Sequence, residues 1–245
     1  MKSRRLALLV AIALGGGGFL SSAQSVSAAD VTGNNVTIDD TQAPSNNAEN
    51  PGGGAAFGTA AGFIKDEHDN GNVKGNTLTF KNLSYDKYLY GGLTFGTGNV
   101  TGNKVFVNPA TSPLVSTVDS IYGGAAHGGG NVEDNHATFN GTHLNGDLVG
   151  GIATDGGTGT VKKNTATLKG GNVHGSIYGG LAGNGASGDV VENKVTIESG
   201  TVTGTEKVYG GYAAENGNVK GNTVTIKGGT LSEIYGGYSD GTGEV

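Results

Sequence analysis

The sequence predicts an all-β fold, a solenoid of about seven stacked coils, from a phrase that recurs along the chain. The phrase is Val-x-x-Asn, then a short run of β-forming residues, then Tyr-Gly-Gly or a close equivalent. A phrase that returns at intervals of about 20–50 residues indicates stacked repeats, each of which contacts only its neighbours. The seven opening valines are Val31, Val73, Val100, Val132, Val161, Val190 and Val219.

The first half of each copy has the alternation of a β-strand. Counted from the opening valine, the fourth residue is always Asn, and the sixth and eighth are apolar. Side chains of a strand alternate between its two faces, so these three positions point into the solenoid and the seventh points outward. The seventh residues are Thr37, Thr79, Phe106, Thr138, Thr167, Thr196 and Thr225.

The inward asparagines predict a structural ladder, in which stacked amides hydrogen-bond along the solenoid. Alternatively, each Asn is only a turn former that tolerates left-handed backbone geometry. The predicted ladder residues are Asn76, Asn103, Asn135, Asn164, Asn193 and Asn222.

The second half of each copy carries an apolar residue, then a second residue that is usually Tyr, and then two glycines. This pattern predicts a strand that ends at a tight bend, with a third short strand after the glycines. The third strand is expected around Leu93, Ala125, Ile152, Leu181, Tyr212 and Tyr238. Tyr212 and Tyr238 are a candidate adhesive surface, although stacked tyrosines are also typical internal ladder residues. The sequence leaves open which face they occupy.

The chain divides into three segments. Residues 1–29 predict an export signal, because a basic head precedes the apolar run of residues 6–14 and a tail of small residues. Residues 30–72 are expected to form an irregular N-terminal capping coil and a loop, and residues 73–245 the regular β-helix repeats. The last copy stops in mid-phrase at Val245, so we expect truncation at the C-terminus of a longer protein.

Charge and composition narrow the function. Removing the three basic residues of the export signal from the chain's 15 leaves 12 against 21 acidic ones, a net charge of −9. Because this charge repels phosphate backbones, nucleic acid is not expected as a partner. The chain has no cysteine, so no disulfide holds the coils together.

The repeats resemble the passenger region of Gram-negative autotransporter adhesins. The likeness spans residues 31–245 and is clearest in VKGNTVTI at 219–226 and IYGGY at 234–238. It implies a right-handed parallel β-helix that is secreted and displayed at the cell surface, where it binds an unknown host or microbial glycan or protein through many weak contacts. Passengers of this family are carried by a C-terminal β-barrel in the outer membrane. The sequence has no such segment, and the expected attachment to the outer membrane is through that missing barrel.

Two alternatives to an adhesin stay open from the sequence: a polysaccharide-acting β-helix enzyme, and an ice-binding or structural stalk solenoid. We expect no enzyme, because the segment after residue 29 has no arginine and its acidic residues do not recur at matching places in neighbouring copies. His127 precedes Gly128 as in some hydrolase motifs, but without an acidic partner at the corresponding position. Neither a cofactor nor a metal site is expected, because no histidine recurs in register.

Overall fold

The computed structural model describes residues 29–38, 59–81, 87–108, 117–202 and 205–245. These residues confirm an all-β parallel solenoid, which has about six turns; the predicted count of about seven coils is not confirmed. Its right-handedness stays a prediction. The proposed export signal, except Ala29, lies outside the described residues, as do residues 39–58 of the stretch that we expected to cap the stack.

Each turn contributes one strand to each of three parallel sheets, which we name by their recurrent residues. The valine sheet is Val31–Thr32, Val73–Lys74, Val100–Thr101, Val132–Glu133, Val161–Lys162, Val190–Val191 and Val219–Lys220. The threonine sheet is Asn35–Ile38, Thr77–Lys81, Lys104–Asn108, His136–Leu144, Thr165–Val173, Lys194–Ile197 and Thr223–Ile226, with Thr117–Val118 and Thr201–Val202 beside it. The glycine sheet is Thr59–Ile64, Leu89–Thr94, Ile121–Ala126, Leu148–Ala153, Ile177–Ala182, Lys207–Ala213 and Glu233–Ser239.

Equivalent residues of successive copies lie above one another, as the repeat predicts. Val195 pairs with Val224 and Ile197 with Ile226 in the threonine sheet. Val195 and Ile197 are fully buried, in one apolar cluster with the first residue of four glycine-sheet strands, Leu89, Ile121, Leu148 and Ile177. The stacked aliphatic interior is the main stabilising feature, because burying each such side chain contributes about 1.5–3 kcal/mol.

The corner between the valine and threonine sheets has a left-handed backbone. Its residue is Gly in four turns, with φ of 69° at Gly33, and a non-glycine residue in three turns, with φ of 57° at Glu192. Left-handed geometry costs an ordinary L-residue roughly 1–2 kcal/mol. Because the left-handed residue turns the chain sharply, the valine strand and the threonine strand form separate sheets.

The Tyr-Gly-Gly motif does not end a strand, so the predicted bend and separate third strand are wrong. Gly91 and Gly92 lie inside Leu89–Thr94, and neither has a positive φ. A Cβ atom on Gly92 would lie 2.6 Å from Cγ of Asn103, and one on Gly91 would lie 2.4 Å from the carbonyl oxygen of Gly123. These glycines are required because the strand passes directly over the neighbouring backbone and the inward asparagine.

The stretch from residue 30 to residue 72 contributes a strand to each sheet. Thr59–Ile64 pairs in parallel with Leu89–Thr94, and Val31–Thr32 pairs with Val73–Lys74. The described part of this stretch therefore has the same three-sided course as the later turns.

Candidate functional site

The six asparagines assigned to the ladder form a hydrogen-bonded column in the interior. The Nδ2 atom of Asn164 donates to Oδ1 of Asn193 at 3.0 Å and to the carbonyl oxygen of Val132 at 2.8 Å. Its Oδ1 accepts from the backbone N–H of Asn135 at 3.0 Å and from the Asn135 amide at 3.0 Å. Five of the six are fully buried, and Asn222 is half-buried. With every polar atom of Asn164 used by neighbouring turns, the column is structural and offers nothing to a ligand.

A second ladder, which the sequence reasoning missed, runs along the surface one residue before each opening valine. The Oδ1 atom of Asn99 accepts the backbone N–H of Asn131 at 2.9 Å, and Oδ1 of Asn131 accepts that of Thr160 at 2.9 Å. Farther along, Oδ1 of Asp189 accepts the backbone N–H of Asn218 at 2.9 Å. The recurrent Asn or Asp at this place was the signal for it.

The outer side of the glycine sheet forms a tyrosine face, made by the residues just before and just after the two glycines. Ile121 and Ala126 both belong to apolar clusters in the interior, although strict alternation would place residues five apart on opposite faces. Tyr122 and Ala125 belong to a third cluster, on the outer side of the sheet. The glycine pair therefore shifts the alternation by one residue. As a result, Tyr212 and the tyrosine before its glycines, Tyr209, lie on the same outer face.

The rings of this face stack on one another along the solenoid. Tyr178 and Tyr209 stack at 5.2 Å, Tyr209 and Tyr235 at 5.2 Å, and Tyr212 and Tyr238 at 5.7 Å. Tyr238 is 36% exposed. Because the ring faces contact each other, the column presents ring edges and hydroxyl groups to the outside.

Carboxylates border the tyrosine face on both sides. On one side, Oε2 of Glu233 accepts the Tyr235 hydroxyl at 2.7 Å and lies 2.9 Å from Nζ of Lys207. On the other side, the Tyr212 hydroxyl donates to Asp240. Burial and then the Asp240 hydrogen bond raise the pKa of Tyr212 above its ordinary value. The pKa of Tyr235 is raised as well, first by its hydrogen bond to Glu233, so the hydroxyls of Tyr212 and Tyr235 both act as donors at neutral pH.

Asp147 lies on the same side of the tyrosine face as Glu233, in the turn where Val149 interrupts the tyrosine column. Its Oδ1 accepts the backbone N–H of Ser176 at 2.8 Å. Burial raises the pKa of Asp147. The hydrogen bond from Ser176 lowers this pKa, and the negative charge of the nearby Glu206 raises it, so the net shift is upward. Burial, followed by the charge of Asp147, raises the pKa of Tyr178 to about 12.

The place that corresponds to His127 in the next turn holds no acidic residue, as predicted, but the residue beside that place is an acidic partner. Nδ1 of His127 lies 2.7 Å from Oδ2 of Asp155 and 2.7 Å from Oγ1 of Thr154, and the His127 ring stacks on Phe95 at 4.8 Å. Asp155 was missed because Ala126 pairs with Ala153, which makes Thr154 the equivalent of His127 and places Asp155 one residue beyond it. Phe95, His127, Gly128 and Asp155 line an open pocket of about 350 Å³ together with Glu67.

The pocket does not have the geometry of a hydrolytic triad. A nucleophile, a histidine and a carboxylate form a relay when the two oxygens bind different ring nitrogens. Here Thr154 and Asp155 both contact Nδ1 of His127. The pair instead orients the imidazole ring against Phe95 and joins one turn to the next.

The outer side of the threonine sheet forms a third surface, the lysine–threonine face. Thr138, Thr167 and Thr196 pair in register along its middle, and the first two are buried and half-buried. Lys104, His136, Thr165 and Lys194 pair in register along one side of the threonines. Burial and then Lys104 hold the pKa of His136 below its ordinary value.

Within the described ranges, no set of three or more His, Cys, Asp or Glu side chains is placed to hold a metal ion. The same part of the chain has no helix of the length and apolarity that crossing a membrane requires. Comparison with known proteins found no protein-family model, no curated protein and no solved structure that matches this chain.

Proposed function

We propose that this chain is an exported β-solenoid displayed at the cell surface, where it acts as an adhesin passenger by multivalent binding and not by catalysis. The observation that carries the proposal is that equivalent outward side chains repeat in register from one turn to the next. An array of equivalent weak contacts gains avidity without any single strong site. The partner would be a host or microbial surface glycan or protein.

The sequence supports the location. The proposed signal at residues 1–29 would direct export, and the resemblance of the repeats to autotransporter passengers implies display at the outer membrane or release outside the cell. A fusion of residues 1–40 to alkaline phosphatase, which is active only after export, tests this part. An inactive fusion in the cytoplasm would contradict it.

Adhesion is tested with polystyrene beads that carry the purified protein. The beads are counted on a cultured epithelial layer and on a bacterial lawn, and the same protein is then added in soluble form as competitor. We expect the beads to attach and a large excess of soluble protein to be needed for release, because each single contact is weak.

The control is a Val195→Asp variant, which removes the folded surface because Val195 is fully buried. Equal attachment of both kinds of bead would show that the folded surface does not bind. Failure of the unsubstituted beads on both layers would favour a stalk that only separates other parts of the protein.

A further inference from the structure

We propose that the lysine–threonine face is a binding surface for an anionic polysaccharide, which lies along the solenoid axis across successive turns. The inference rests on the proposed adhesive function and adds to it the chemistry of the ligand. It is carried by the separation of charge among the three sheets.

The strands of the threonine sheet contain no aspartate or glutamate within the described residues, although acidic residues outnumber basic ones in the chain by 21 to 15. They contain four lysines and two histidines. These are Lys81, Lys104, Lys169 and Lys194, with His136 and His143. By contrast, the strands of the valine sheet contain Glu133 as well as Lys74, Lys162 and Lys220, and each of these three lysines lies within 4.0 Å of a carboxylate. The glycine-sheet face is bordered by carboxylates.

The cations of this face are available. Lys104, Lys169 and Lys194 are exposed, and none of them has a carboxylate within 4.0 Å in the described part of the chain. Lys227, just after the last strand, does pair with Glu198 at 3.9 Å. Lysines on the valine sheet are paired in the same way, with 2.7 Å between Lys220 and Glu244.

The spacing suits an extended polymer. Lys104 and Lys194 are three rungs apart in one column, which is about 14 Å at the usual distance between strands. Half-buried threonine hydroxyls lie beside this column and can exchange hydrogen bonds with sugar hydroxyls. At physiological salt, charges beyond about 8 Å are largely screened, so the lysines outweigh the net negative charge for a ligand in contact.

The same face argues against nucleic acid as the ligand. Unpaired bases bind by stacking on aromatic side chains, together with arginine. Phe106 is the single aromatic ring in the central threonine column, and it is half-buried. Both arginines of the chain lie within the first five residues. A sugar polymer with carboxylate or sulfate groups needs neither feature.

The test measures binding of the purified protein to immobilised dextran sulfate, polygalacturonate, uncharged dextran and single-stranded DNA. We expect binding to dextran sulfate or polygalacturonate that weakens with salt, and no binding to dextran. Which anionic polymer binds more tightly tells whether sulfate or carboxylate is the preferred group. Equal binding to dextran, or tighter binding to DNA than to both anionic polysaccharides, would overturn the proposal.

The decisive variant is Lys104→Gln with Lys194→Gln. Each removed contact is an exposed charge pair, so we expect affinity to fall by about 2- to 30-fold in total. The matched control is Lys162→Gln with Lys220→Gln on the valine sheet, which changes the net charge equally. An equal loss in the control would show that net charge and not this face governs binding. If the unsubstituted protein binds neither anionic polymer while its beads still attach to cells, this inference is refuted and the proposed adhesion stands.

Discussion

Replacing Asn164 with Ala tests whether the buried amide column stabilises the solenoid. The change removes the acceptor of the Asn135 backbone N–H and the donor to the Val132 carbonyl, both of which are buried. The Asn193 oxygen keeps a partner, because it also accepts the backbone N–H of residue 164 at 2.9 Å. The Asn135 side-chain amide also loses its bond to Asn164, but its Nδ2 keeps the bond to the Val100 carbonyl oxygen. Two buried groups are therefore left without a partner. At about 1–3 kcal/mol for each unsatisfied group, the free energy of unfolding should fall by about 2–6 kcal/mol.

The surface ladder supplies a matched control. Asn131→Ala also removes an oxygen that accepts a backbone N–H from the next turn, that of Thr160 at 2.9 Å. Asn131 is exposed, so water replaces the lost acceptor and the expected loss is about 1 kcal/mol or less. Urea unfolding followed by circular dichroism measures both changes, with the slope against denaturant unchanged. Equal losses in the two variants would refute the reasoning.

Three further predictions concern the corner, the assigned faces and a buried acid. Gly75→Ala should destabilise the protein by roughly 1 kcal/mol and Glu192→Gly should stabilise it by up to that amount, because both positions need positive φ. Thermal unfolding measures both changes, and a melting temperature that moves in the same direction in both variants would contradict this. Val195→Asp should unfold the neighbouring turns, at a cost above about 3 kcal/mol, because Val195 is fully buried. Thr196→Ala should change the free energy of unfolding by about 0.5 kcal/mol or less. Comparable urea midpoints for the two variants would show that the faces are misassigned. Burial raises the pKa of Asp147 above its ordinary 3.8, so the folded state holds the proton longer and stability falls as pH rises from about 4; Asp147→Asn should flatten this dependence in unfolding curves, and an unchanged slope would refute it.

The sequence was sufficient for the stacking and the inward columns. A period of two residues and a returning phrase both describe local regularities, so the positions of Val195 and Asn164 follow from strand alternation alone. The two-residue valine strands could not be found in this way, because a pattern of two residues has no measurable period. Only pairing with neighbouring turns makes them a sheet.

The glycine pair shows where local reasoning failed. Two glycines in sequence favour a turn by backbone propensity, but Gly151 is required because Cγ of Asn164 would lie 2.4 Å from any Cβ atom placed there. Its tertiary role is recorded in the sequence only as the recurrence of Asn and Gly-Gly in the same phrase. For the same reason, the face occupied by Tyr212 was not predictable.

The candidate binding surfaces were predictable only in part. The net charge of the chain is an average over three sides, and it hides a face whose strands lack carboxylates. His127 and Asp155 come from different turns at unequal places, so no fixed spacing reveals their contact. Repeat analysis pairs only residues at equivalent places in the copies, so it finds no partner for side chains at unequal places.

The parallel stacking of the turns also determines how the molecule should respond to force. The opening valines Val132, Val161 and Val190 are 29 residues apart, and each turn is bonded only to the turns beside it. Tension applied to the two ends would detach one terminal turn at a time and extend the chain by about 90–100 Å for each. With no cysteine to stop the process, a solenoid built in this way would yield one turn at a time under shear, in steps set by the length of each turn, and could re-form from the turns that remain.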